Sequence, residues 1–487
     1  MMGLVFLTFG IVGQWLFGVL LAMAIFCRPG RAPRPFAELA GFGCVLGIAG
    51  TAWCLFVWSF CGGPLGTTPS VLITVIGYGV GGPFAWRQFR SRDREPTAPG
   101  VISLVTRQQR AVACVCQALI AGLFAACVLQ TLQTPQKLWD ERSIFAIKGR
   151  VLFEDRSINS STLLHPDFVQ YHPRYPLLLP LAEEHIYALL GHVDDRLSKL
   201  VFSALYLGMV LAVAGVLSRH WSCDRAWMTA AMVATVPALM PYEYGFLCGQ
   251  ADAPVACFHT VSVLYLWDAL VSQRRGVFRT DALLAAGLSA GATVFTKDEG
   301  IAFFIIDTGI LALFGVLNLL RGIRIRDSLI AMTLFPVTAG VMLLPWFLHR
   351  RSLPLTTEMN YFGRMTLAMF VGRVPTLGWS GPHLIRRMFW EWREWGLQWW
   401  LMAAAWIAFP WRALQQSQLL FILDVVGALA SLLVAGMLAP AQLDEHIGGS
   451  SHRFLMQIAP AAVLFAMTQW FSERELTSPA DSGSGGN

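Results

Sequence analysis

Apolar runs of about 20 residues recur along the whole chain, and that recurrence decides its fold class. A bilayer core about 30 Å thick is crossed by roughly 20 apolar residues in helical conformation. Within it, only a helix or a closed barrel satisfies its own backbone. Thirteen runs are read as spans, at roughly 3–26, 37–60, 71–86, 110–131, 196–217, 226–241, 253–271, 281–296, 300–320, 328–348, 396–411, 417–439 and 454–471. The runs at 71–86, 226–241 and 281–296 are short. The expected fold is therefore all-α, a polytopic bundle of about 13 transmembrane helices, with interfacial helices in the first large outer loop. Charged residues make up 14% of the 487, against roughly a quarter in a soluble domain. That is too few to solvate a water-facing surface of this size. The first run, Met1 to Phe26, lacks a basic leading segment and a small-x-small cleavage site, so it is expected to be a retained span.

Basic residues orient the bundle. Arg28, Arg31 and Arg34 follow the first run, and Arg87, Arg90, Arg92 and Arg94 follow the third. Arg219 and Arg225, then Arg274, Arg275 and Arg279, then Arg321, Arg324 and Arg326 fill later connections of the same parity. The short loops 61–70 and 242–252 contain no Lys or Arg. The N-terminus is therefore expected outside and the tail from Ser472 inside. Two long outer loops, 132–195 and 349–395, are nevertheless rich in basic residues, which asks for a use. These cations next to spans also explain the net charge of +6 without nucleic acid. The ten cysteines are scattered, most of them in apolar runs, and no CxxC pair occurs, which suits packing. A disulfide between Cys61 and Cys248, both in outer loops, is left open.

Three units are expected: a three-span module with a cytoplasmic Arg- and Pro-rich linker over 1–109, a core over 110–475, and a disordered Ser/Gly tail over 476–487.

Charges gather where apolar runs end. Asp140 and Glu141 come a few residues after the fourth run, ahead of an apolar face of Trp139, Ile144, Phe145 and Ile147, with Arg142 and Lys148 opposite. That pattern suits a helix in the membrane interface. A carboxylate in a partly desolvated cleft there can take a proton from a hydroxyl group; equally, the pair can cap the helix as solvated acids. Further on, Tyr171-His172-Pro173-Arg174-Tyr175-Pro176 leads a second apolar helix through about Leu190. His172 and Arg174 are candidate phosphate donors, or ordinary turn residues. Asp252, in Gly249-Gln250-Ala251-Asp252-Ala253-Pro254, reads as a site carboxylate or as a cap before Pro254. Lys297, Asp298 and Glu299 stand between two apolar runs with almost no loop. Charges at such depth are paired or functional, and a tight surface turn is the alternative. His452 and Arg453 open the last run and can hold an anionic headgroup or anchor the helix.

The order of these elements resembles the GT-C glycosyltransferases of the protein mannosyltransferase and aminoarabinose transferase type. An Asp-Glu loop follows a span. Then come an interfacial helix, the segment HPRYPLLLP, the loop GQADAP before a span, a TK pair after the next span, and an Arg ahead of LMQIAP. The resemblance covers roughly residues 110–475. It implies inverting transfer of a sugar from a polyprenyl-phosphate donor at the outer face, in a bacterial inner membrane. By resemblance, Asp140 is the acidic residue after the first core span, with Glu141 beside it. Asp252, Lys297 and Arg453 match the family's acidic residue, Lys and Arg, and Arg174 matches its phosphate-binding cation loosely. Glu299 and His172 join the candidate substrate-binding set. Three extra leading spans and the lack of a soluble outer domain depart from the family and bear on the acceptor. No DxD-type pair occurs, so neither metal nor cofactor is assigned. The remaining alternatives are a lipid-linked-sugar flippase or transporter, which would want charges in mid-span, and a glycan polymerase or ligase.

Overall fold

The computed structural model describes residues 2–26, 34–83, 86, 106–241, 243–322, 325–354, 363, 365–439 and 443–471, and these form helices and connections with no strand among them. The linker 87–105 and the tail from residue 472, both read above from composition, lie outside the described residues. Along the chain run α1 (Met2–Phe26), α2 (Phe36–Phe60), α3 (Thr67–Ile76) and α4 (Arg107–Gln133). The outer loop carries α5 (Ile147–Asp155) and α6 (Leu178–Leu190), and α7 (Leu200–Leu217) and α8 (Cys223–Ala234) follow. Next come α9 (Asp252–Arg274), α10 (Thr280–Thr296), α11 (Gly300–Leu320) and α12 (Ile325–Arg350). The chain continues with α13 (Leu377–Trp390), α14 (Gln398–Ala408), α15 (Gln416–Leu438) and α16 (Leu443–Trp470).

Eight of these helices are long and apolar enough to cross a membrane, not thirteen: α1, α2, α4, α7 with its leading turn, α9, α11, α12 and α15. The chain is thus built as a multi-pass membrane protein. Five expected runs fall short or carry too much charge. The 12 residues of α8 and the 11 of α14 extend roughly 18 Å and 16 Å. The helix α10 stops at 17 residues, where Lys297 turns extended. The run at 71–86 becomes α3 plus a π-helical turn, Gly77–Gly81. In α16 only 17 residues follow Arg453 before the helix ends at Trp470.

Burial sorts the spans into layers. The apolar stretch of α9 is wholly enclosed by other helices, so α9 is the axis of the bundle. In α4 that share is 17% and in α12 28%, with Val115, Leu119, Val337, Val341 and Leu344 turned outward. An apolar face exposed on a helix of spanning length is a lipid-facing surface. The leading helices are not peripheral to the rest. The α2 helix packs on α7 so closely that a Cβ at Gly41 would overlap the backbone of Leu211 and Ala212. On its other side, a Cβ at Gly18 of α1 would overlap the Gly43 carbonyl. Small residues let helix backbones approach in this way where lipid offers no hydrophobic drive.

One end of the bundle gathers the basic connections. Arg34 pairs with Glu38 at 2.9 Å and with Asp281. Arg219 pairs with Glu38 at 2.9 Å and Asp268 at 2.8 Å, and His220 reaches Asp268 at 2.8 Å. The start of α2, the ends of α7 and α9 and the start of α10 therefore meet there. Asp252 opens α9 sixteen residues before Asp268, or ~24 Å away along the axis. Cys61 and Cys248 are both free thiols.

The charged cluster at the head of the central helix

At the other end, charges from four distant parts of the chain close on Asp252. It is the first residue of α9, not its cap; the cap position is Ala251, which makes no side-chain bond. The Asp252 carboxylate is fully buried. Its Oδ1 accepts from Lys297 Nζ at 2.9 Å and from Gln457 Nε2 at 2.9 Å. Its Oδ2 accepts from Arg453 Nε at 3.0 Å and Nη2 at 2.7 Å. Arg453 then uses Nη1 to reach Asp140 Oδ2 at 2.9 Å. Lys297 reaches Glu299 Oε1 at 2.7 Å. Two cations and three carboxylates are thus joined in one chain, Asp140–Arg453–Asp252–Lys297–Glu299.

Each position has a local cause. The extended backbone at Lys297 ends α10 and sends its side chain toward the head of α9. Asp298, between Lys297 and Glu299, turns the other way and takes a two-pronged bond from Arg350 at 2.9 and 2.7 Å, which anchors the turn to α12. Arg453 and Gln457 stand four residues apart on α16 and so present one face. Burial by itself pushes the Lys297 ammonium down, but Asp252 and Glu299 more than offset it and hold it above its usual value. The graded exposure is informative: Asp252 is sealed, whereas the Asp140, Glu299 and Arg453 side chains remain 27%, 35% and 22% exposed. The cluster has a structural floor and an open rim.

The Arg453 guanidinium also lies over the Tyr244 ring, 5.5 Å from its centroid. Tyr244 in turn meets His452 edge-on at 4.3 Å. Arg387, on the amphipathic α13, lies 3.0 Å from His452 Nδ1 and donates to Ser451 Oγ at 3.1 Å. Its Nε is 3.1 Å from Glu391. Gln457, Tyr244 and Arg387 were not singled out in the sequence. The spacing of Gln457 from Arg453, inside LMQIAP, was the available signal; for Tyr244 and Arg387 we find none.

Three candidates lie elsewhere. Glu141, adjacent to Asp140, turns into the protein and is fully buried. Its Oε2 accepts from the backbone N–H groups of Lys137 at 2.7 Å and Leu138 at 3.0 Å. Its Oε1 accepts from Gly249 N–H at 2.8 Å and lies 3.8 Å from Lys199 Nζ. This carboxylate ties the first outer loop to the GQADAP loop, so it positions Asp140 and Asp252 and does not face the open rim. His172 and Arg174 are not partners of Asp140, Asp252, Lys297 or Arg453. His172 closes a 3₁₀ turn in left-handed conformation and stacks on Tyr175 at 5.2 Å. Arg174 keeps a buried Nε with no hydrogen-bond partner among the described residues. Lys148, expected on a solvated face, is buried and donates to the carbonyls of His172 at 3.1 Å and Tyr175 at 3.4 Å. It pins the Pro-rich segment against α5.

Among the described residues, no group of three or more His, Cys, Asp or Glu side chains is arranged to hold a metal ion. A surface hollow lined by Ser161, His165, Phe168 and Tyr171 shares no residue with the cluster. Chemically, the cluster sets one accessible carboxylate, Asp140, beside two cations that Asp252 and Glu299 already pair. Comparison with protein-family models and with curated protein sequences finds no match for this chain.

Proposed function

We propose that the chain is an inverting glycosyltransferase that takes a sugar from a polyprenyl-phosphate donor, at the outer face of a bacterial inner membrane. The supporting observation is the Asp140–Arg453–Asp252–Lys297–Glu299 chain at the end of the bundle opposite the basic connections. Sugar transfer from a phosphate needs a base for the acceptor and cations for the leaving group. Asp140 is the base in this reading. Its Oδ2 is fixed by Arg453, and its Oδ1 has no partner among the described residues. Arg453 and Lys297 neutralise the departing phosphate. Asp252 holds both cations at one spot while the donor is absent, and Glu141 holds the loop that carries Asp140. In this reading the other five expected runs cross the membrane with the eight longer helices, so that Asp140, Asp252, Lys297 and Arg453 share the outer face and Arg34 and Arg219 the inner one.

Two measurements test the proposal. A single cysteine at Thr67, in a background without native cysteines, should react with a membrane-impermeant reagent, and one at Ser482 should not. The reverse pattern would put the cluster on the wrong face. Mass spectrometry of envelope glycans and glycoproteins from a strain lacking the chain should show loss of one defined sugar. Unchanged glycans would sink the transferase reading.

One observation favours a second reading, a lipid-linked-sugar flippase. Ionisable residues also occur in mid-span, at His259, Asp307 and Asp424. Scrambling of a lipid-linked sugar by proteoliposomes, with no sugar transferred to any acceptor, would select it.

A further inference from the structure

His259 and Asp424 meet inside the bundle, far from either rim. His259 lies seven residues along α9 from Asp252, or ~10 Å deeper. Its Nε2 is 3.2 Å from the Asp424 carboxylate of α15. Asp307 of α11 completes the group. It is 1% exposed, and among the described residues neither of its carboxylate oxygens has a hydrogen-bond partner. Asp424 and His259 are both near enough to act on it electrostatically. The helices that carry the two acids are in tight contact, since a Cβ at Gly427 would press on the Ile306 side chain at 2.8 Å.

Among the described residues the remaining walls supply no other charge at that depth; on α16 the charged residues lie at Arg453 or before it. The titratable groups of α10 and α12 stand near their helix ends: Asp281 on α10, and Arg326, Asp327, His349 and Arg350 on α12. Phe303 covers His259 at 4.2 Å between ring centroids and touches Phe454 at 5.3 Å. Two ionised carboxylates in such a place would cost far more than one histidine can return. Charge balance is reached when Asp424 pairs with a protonated His259 and Asp307 carries its own proton.

We propose that Asp307, beside Asp424 and with His259 as counter-charge, is a proton-binding site in the interior of the bundle. The ligand is a proton and not a divalent metal, because the three groups are not arranged to hold one. This inference does not depend on the transferase reading.

Dicyclohexylcarbodiimide tests it on the intact protein in lipid. The reagent takes the proton of an apolar carboxylic acid and leaves a stable acylurea, whereas an ionised carboxylate does not react. At neutral pH the adduct should map to the peptide containing Asp307, fade as pH is raised, and be lost in Asp307→Asn. Asp252, ion-paired, should stay unmodified. Asp424→Asn removes a repelling negative charge, so labelling should retreat to lower pH. His259→Gln removes the opposing positive charge, so labelling should persist to higher pH. A merely structural role for these residues would not produce opposite displacements. Should the variants misfold, adduct mapping in the wild type still decides. A wild type with no adduct at Asp307 overturns the proposal. So does labelling that sodium suppresses at constant pH, because the site would then bind a cation.

Discussion

Substituting Asp140 by Asn separates chemistry from folding more cleanly than any other change in the cluster. Among the described residues the Asp140 carboxylate has one partner, Arg453, and both side chains are partly exposed at 27% and 22%. Exposed or half-exposed ion pairs contribute about 0–1 kcal/mol. Arg453 also keeps its two bonds to Asp252 when Asp140 loses its charge. The thermal midpoint of the variant should therefore stay close to that of the wild type. If Asp140 is the general base, transfer should fall by about 10²–10⁴-fold, which is roughly 3–5 kcal/mol in the barrier. The assay is release of polyprenyl phosphate from a panel of polyprenyl-phosphate sugars by purified protein in proteoliposomes. Asp252→Asn is the contrasting control. It removes the buried charge that two cations share, a loss of about 3–5 kcal/mol in stability. An Asp140→Asn protein that keeps most of its turnover would refute the assigned role. One that unfolds as readily as Asp252→Asn would refute the separation of rim from floor.

Three further outcomes are expected. Glu141→Ala leaves the N–H groups of Lys137, Leu138 and Gly249 without their acceptor and Lys199 without its charge partner. It should cost about 3–5 kcal/mol in a detergent denaturation series, far more than Asp140→Asn. Lys297→Met leaves Asp252 bonded to Arg453 and Gln457. It should lose about 1–3 kcal/mol, and added polyprenyl phosphate should raise its thermal midpoint less than that of the wild type. Glu184, on α6 outside the spans, is pushed up to about 8 by burial, which the backbone N–H of Gly66 offsets only in part. The folded state then binds more protons than the unfolded state between the ordinary glutamate range and about 8, so stability should fall as pH rises through that window. Glu184→Gln should flatten this fall in thermal denaturation across pH; an unchanged slope would exclude Glu184 as its source.

What could be read before the structure divides along physical lines. Long apolar runs report themselves, and all eight helices of spanning length fall on expected runs. Three of the short runs were those where a few apolar residues had to stand for a span. The 12 residues of α8 end before Pro237, and α10 ends where Lys297 begins a turn. Grouping Asp252, Lys297 and Arg453 was legible only through the order of motifs. The bonds that join them bridge 45 and 201 residues, which no local pattern encodes. The fate of Glu141 was illegible because adjacent helical residues point about 100° apart, so one acid of a pair can face the rim while the other is sealed. Lys148 was misjudged because its partners are carbonyls 24 and 27 residues ahead. His259, Asp307 and Asp424 were in plain view as lone ionisable residues within apolar runs, a recognised sign of function in membranes. Attention to the loops passed them over.

The ion pairs at the basic end also constrain how the chain can be assembled. Arg34 acquires Asp281 as a partner across 247 residues of sequence, and Glu38 acquires Arg219 across most of the same interval. Synthesis proceeds at roughly 5–20 residues per second, so Arg34 waits about 10–50 s for Asp281 to be made. During that time α1 and α2 are already in the bilayer, with Glu38 answered by its neighbour Arg34 and not yet by Arg219. The leading helices are therefore held provisionally until α7, α9 and α10 arrive and lock the basic end. A chain arrested before α10 carries a half-neutralised terminus inside the membrane, a mark by which quality control can distinguish unfinished molecules from completed ones.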